Sequence, residues 1–113
     1  MFVSHFTHVF SQYPDAQMGI IFHHEGEVIT HVNADPSVES SDFQFKEIFK
    51  ELGHTFPLIG EFKEGIFETD THLWLIYPLT TSLKIGLIVQ KESIINQARF
   101  WLNELRTQIQ NAL

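Results

Sequence analysis

Residues 73–79 (LWLIYPL) are apolar on both parities, and this restricts the architecture more than any other feature of the chain. Successive side chains of a strand point to opposite sides. Leu73, Leu75, Tyr77 and Leu79 therefore share one face, and Trp74 and Ile76 share the other. A strand that is apolar on both faces has to be covered on both faces. The sheet that contains it must lie between two other layers. After a Thr80-Thr81-Ser82 turn, residues 83–89 repeat the pattern, with Leu83, Ile85, Leu87 and Val89 on one parity and Lys84, Gly86 and Ile88 on the other.

Three amphipathic segments can supply the covering layers. Phe2, Phe6, Val9, Phe10 and Tyr13 recur at spacings of three and four, which predicts a helix that stops at Pro14. Phe45, Ile48, Phe49 and Leu52 make a second stripe. Ser41 is placed to cap that helix with Gln44, and Gly53 stands as its C′ residue with Pro57 beyond. Ser93 is expected to cap a final helix running to about residue 111, with Ile94, Ala98, Trp101, Leu102, Leu105 and Ile109 inward and Arg99, Asn103, Arg106 and Gln110 outward.

Between the first two helices, residues 18–22 (MGIIF) read as a buried strand and residues 28–32 as its return. Residues 24–27 (HEGE) form the tight turn, Gly26 being free to take a positive φ. Residues 33–41 are polar and aperiodic, hence a loop. Residues 61–69 read as a strand interrupted at Gly65 by a bulge, before a turn at residues 68–71. The order is α-β-β-α-β-β-β-α in one domain: an α/β chain of the α+β type, with a five-stranded antiparallel sheet sandwiched between helices.

Composition narrows the function. Of the 113 residues, 43% are hydrophobic, as in an ordinary globular domain, and eleven are phenylalanine. With no cysteine, disulfides and thiolate metal sites are excluded. Neither a membrane-spanning stretch nor a secretory leader is visible, and a cytoplasmic location is expected. The formal charge of −7 argues against nucleic acid and anionic lipid as partners. It is unevenly placed: residues 25–70 carry a net −8, and residues 71–113 a net +2. An acidic middle of this kind steers basic partners, or simply keeps the protein soluble.

Motifs of catalysis are missing. The chain has no G-x-S-x-G elbow, P-loop or G-x-G-x-x-G. The carboxylate pairs Glu25/Glu27 and Glu64/Glu68 are expected to be solvated charges. Seven histidines invite a metal reading: His5 and His8 lie three apart on the first helix, and His23-His24, at the end of the first strand and the start of the turn, could approach them. Neighbouring strand residues point apart, however, and no zinc spacing such as HExxH is present. No metal, no cofactor and no enzymatic activity are expected. The phenylalanines fit an aromatic core, the alternative being a small-molecule cavity of the PAS or GAF sensor kind.

In element order and length the chain resembles the Roadblock / dynein light chain family. The likeness lies in residues 18–30 (MGIIFHHEGEVIT), in residues 73–89 (LWLIYPLTTSLKIGLIV), and in Asn96-Gln97-Ala98-Arg99 continuing to Leu102 and Leu105. The second helix is shorter than the family's, and Gln97 stands where a small residue is more typical. The resemblance implies a homodimer, or a pair with a related subunit, in which third strands join across a two-fold axis beside the second helices. Here that surface would comprise Phe43, Lys46, Phe49, Lys50, Glu61, Phe62, Lys63, Glu64 and Ile66. It further implies a scaffold or regulator of a small Ras-like GTPase. An edge strand at residues 61–69, with unpaired main-chain donors and acceptors, agrees with that expectation.

Overall fold

The computed structural model of the protein describes residues 2–35 and 43–113, the side chains of residues 43–47, 49 and 57 excepted. The elements are α1 (Val3–Gln12), β1 (Ala16–His23), β2 (Val28–Asn33), α2 (Phe43–Ile59), β3 (Gly65–Glu68), β4 (His72–Pro78), β5 (Leu83–Gln90) and α3 (Ile95–Ala112). The five strands form one antiparallel sheet in the order β2-β1-β5-β4-β3. This is the expected architecture. The expected loop at residues 33–41, and the cap of Ser41 with Gln44, lie largely outside the described residues.

The double-faced strand pattern is realised as two cores, one on each side of the sheet. Leu73, Leu75, Tyr77 and Leu79 join Ile85, Leu87 and Val89 beneath Phe6 and Val9 of α1 and Ala98, Leu102, Leu105 and Ile109 of α3. Trp74, Ile76 and Ile88 join Ile20 and Phe22 beneath Leu52 and Phe56 of α2. Registers such as Leu75↔Leu87 and Ile21↔Ile85 place like faces side by side. A slip of one residue would turn either core out to solvent.

α2 departs from expectation. It runs through Gly53 and Pro57 to Ile59, because Leu52 and Phe56, four apart, both bury on the sheet. Phe56 stacks on Phe22 with ring centroids 5.9 Å apart. Gly53 is an interior residue at which the helix meets the hairpin turn, and a Cβ there would lie 2.1 Å from the Glu25 carbonyl oxygen. The helix ends instead at Gly60, at φ +80°, whose N–H donates to the Phe56 carbonyl at 3.0 Å. Gly26 takes its expected positive φ, 99°.

Two smaller corrections concern α3 and β3. Ser93 does not cap α3; its hydroxyl bonds Asp15 at 3.0 Å, and Ile94 occupies the N-cap position, 61% exposed rather than inward. β3 spans only four residues, beginning at Gly65, so Gly65 opens the strand and is not a bulge within it. In a strand, Phe62 and Glu64 would share a face. Here the Phe62 ring enters the α2-side core, 5.0 Å from Phe56, while Glu64 reaches α3 on the opposite side. The segment before Gly65 is therefore not extended.

Candidate interaction edge and groove

β3 lies at the border of the sheet, with β4 on one side and no strand of the described residues on the other. Its main chain thus presents a row of groups to one side only. Ile66 pairs with Leu75 and so faces the α3 side, where it is 38% exposed. Glu61 and Lys63 are exposed, as is Lys50 on α2. Phe62 is held in the core beneath the ammonium of Lys84, which sits 5.0 Å above its ring. The side chains of Phe43, Lys46 and Phe49 lie outside the described residues. Of the expected contact surface, the β3 main chain, Ile66 and the side chains of Lys50, Glu61 and Lys63 are open.

Glu64 is not a solvated charge. Its carboxylate accepts a forked pair of hydrogen bonds from Arg99, Nε at 2.9 Å and Nη2 at 2.8 Å, and a third from the Tyr77 hydroxyl at 3.0 Å. The Arg99 hydrogen bonds, followed by that of Tyr77, hold the Glu64 carboxyl below its ordinary value against the opposing effect of partial burial. Burial first, and then the Glu64 carboxylate, push the Tyr77 phenol up. Arg99 also donates to the Asn96 side chain at 3.1 Å. Arg106 lies 4.7 Å over the Tyr77 ring and donates to Asn103 at 2.7 Å. Arg99 and Arg106, expected to point outward, instead close the seam between α3 and the end of β4.

This seam is a surface groove of about 750 Å³. Lys63 and Glu64 form one wall, Tyr77 and Pro78 the floor, and one stripe of α3 the other wall: Asn96, Arg99, Phe100, Asn103 and Arg106. Those α3 positions recur at spacings of three and four, next to the buried stripe. That periodicity was the available signal; the partner positions before β3 and on β4 had none.

The histidines divide. His5 Nδ1 lies 3.3 Å from Gln108 and helps join α1 to α3, and His8 is exposed. β1 ends at His23, so His24 enters the turn and its ring lies 4.3 Å from that of His23 instead of on the far face. One ligand atom from each of His23, His24 and Glu25 falls within 4.8 Å of the others. Both rings are already engaged: His23 Nδ1 accepts the Glu25 N–H at 3.2 Å, and His24 Nδ1 donates to the Ser82 carbonyl at 3.2 Å. Among the described residues no helix is long and apolar enough to cross a membrane.

No protein-family model matches the chain, and no curated protein matches it significantly. Solved structures do. MglC from Myxococcus xanthus is similar at a TM-score of 0.78 and 14% identity, over 99% of this chain and 98% of that one. An MglB with a tetrameric arrangement is similar at 0.75 and 9%, over 97% and 85% of the respective chains. A Roadblock/LC7 domain from Streptomyces avermitilis is similar at 0.71 and 11%, over 98% and 93%. Such matches, end to end at low identity, show that the chain has a Roadblock-like fold.

Proposed function

We propose that the chain is a non-catalytic protein-interaction module that pairs with a second copy, or with a related subunit, through β3, and that the pair serves as scaffold or regulator of a small Ras-like GTPase. The position of β3 at the sheet border carries the first half. Antiparallel pairing there would satisfy its open main-chain groups, cover Ile66 and join two five-stranded sheets into one. Leu58, 88% exposed, and Ile59, at the end of α2, add apolar surface to the segment leading into that strand. The tetrameric arrangement of the similar MglB supports self-association as a use of this fold. The GTPase half rests on the likeness of residues 18–30, 73–89 and 96–105 to the Roadblock family.

Sedimentation velocity tests the pairing. Wild type should run as a dimer at micromolar concentration, and Ile66→Asp as a folded monomer by circular dichroism. A wild type that sediments as a folded monomer overturns the pairing. Phe62→Asp is the wrong probe, since that ring is packed on Phe56 and its loss would unfold the α2-side core. For the second half, a purified Ras-like GTPase from the same genome should bind the dimer or change its hydrolysis rate in its presence. Neither effect, with any such GTPase of that genome, would remove the assignment.

A further inference from the structure

The groove between α3 and the β3–β4 end concentrates positive charge on a protein that is otherwise acidic. The chain has only seven lysines and arginines against fourteen acids, yet Lys63, Arg99 and Arg106 all line this one groove, with Glu64 the single acid among its lining residues. Arg99 is neutralised by Glu64. Lys63 and Arg106 have no ion-pair partner among the described residues, so two cationic charges remain uncompensated.

Arg99 and Arg106 are held in place in advance, and Lys63 is an exposed side chain beside them. The Glu64 carboxylate ties the β3 approach to α3 through Arg99 and to β4 through Tyr77, which fixes both walls and the floor. Arg106 spends one N–H on Asn103 and rests its face on the Tyr77 ring, leaving further N–H donors of its guanidinium for a ligand. Little freedom of the Arg106 side chain is then lost when an anionic group arrives. Between the cations, Phe100 is 56% exposed and braced edge-on by Trp101 at 5.0 Å. Asn96 and Asn103 offer amides on either side of it. From Asn96 to Arg106 the helix advances about 15 Å at 1.5 Å per residue, which matches roughly four or five extended residues of a peptide.

We propose that this groove binds an extended acidic peptide segment of a partner protein, with carboxylates on Lys63 and Arg106 and an apolar side chain on Phe100. Charge complementarity selects that occupant. A basic segment would meet the cations of Lys63 and Arg106. A second copy of the same chain would have to bring its own acidic surface into the groove. The site shares Lys63 and Glu64 with the expected pairing surface but uses no β3 main-chain group, and the sedimentation measurements below separate binding from pairing.

The test is fluorescence anisotropy on the full chain with a labelled decapeptide of glutamate and aspartate carrying one central phenylalanine. Binding should be saturable and should weaken as salt is raised. Arg106→Glu and Lys63→Glu should each weaken it about tenfold, as removal of an interfacial charge contact does. Arg106→Lys should retain most of it, and Lys91→Glu, an exposed lysine outside the groove, should leave it unchanged. Circular dichroism and sedimentation of each variant report folding and pairing separately from binding. The proposal is overturned if the peptide does not bind, if Lys91→Glu weakens it as much as Arg106→Glu does, or if a single-stranded RNA competes with the same dependence on Lys63 and Arg106. It is also overturned if Arg106→Glu dissociates the wild-type oligomer, for the groove would then be an interface between copies.

Discussion

A single backbone contact decides what residue 53 can be. The carbonyl oxygen of Glu25 lies 2.1 Å from where a Gly53 side chain would begin, and a hairpin main chain cannot swing aside as a flexible side chain can. Gly53→Ala should gain the roughly 1 kcal/mol of helix propensity that glycine lacks. Overpacking of about 1–3 kcal/mol opposes it, and with the turn anchored by Gly26 the clash should win. Urea denaturation should show a lower midpoint, and an unchanged or higher one would mean that α2 and the turn are farther apart than described. Glu64 makes a second prediction at this scale. Its carboxyl is held below the ordinary value of 4.5, so it stabilises the fold above that pH and loses the contribution as pH falls through the lower, folded value. The stability difference between wild type and Glu64→Gln should therefore be constant near neutrality and shrink below about pH 4. A difference that stays constant down to pH 2.5 would show that the Arg99 pairing does not set it.

Among the elements, β4 and β5 were legible in the sequence because burial alone determines their pattern. Both faces are apolar, and both cores exist. The end of α2 was not legible. Glycine followed by proline is a local stop signal, but the helix is kept going by Phe56, whose burial against Phe22 is a tertiary effect. The length of β3 was hidden for a similar reason, since Phe62 leaves the strand alternation to fill the α2-side core. The rings of His23 and His24 come together because His24 belongs to the turn, where strand alternation no longer applies. The groove was the least legible feature, because Glu64 and Arg99 lie 35 residues apart and meet only after the sheet has formed. Position within the sheet also sets the energetic weight of each strand. Leu75 is fully buried on β4, and its cross-strand neighbour Ile66 lies half-open on β3. Leu75→Ala should cost about 2–5 kcal/mol, a large share of the roughly 5–15 kcal/mol that holds a domain of this size. Ile66→Ala in the monomer should cost less than about 1 kcal/mol. Equal losses in chemical denaturation would contradict the burial of the two faces described here.

For the whole molecule, charge separates the two interactions that the surface supports. Pairing through β3 brings together two chains that each carry a net −7, so their self-repulsion opposes the dimer. Salt at about 0.1 M already screens charges beyond about 10 Å, and the main-chain hydrogen bonds and Ile66 contacts of the edge are little affected by it. Dimerisation should therefore tighten as salt is raised from low concentration. Because a dimer forms only from folded chains, the unfolding temperature should also rise with protein concentration, and Ile66→Asp should abolish that dependence. Acidic peptide in the groove should respond with the opposite sign, since salt screens the attraction of Lys63 and Arg106. Sedimentation and anisotropy across one salt series would measure both. A dimer that loosens as salt increases would mean that its interface is held by attraction between opposite charges, and a hydrogen-bonded strand edge with an apolar side chain could not account for it.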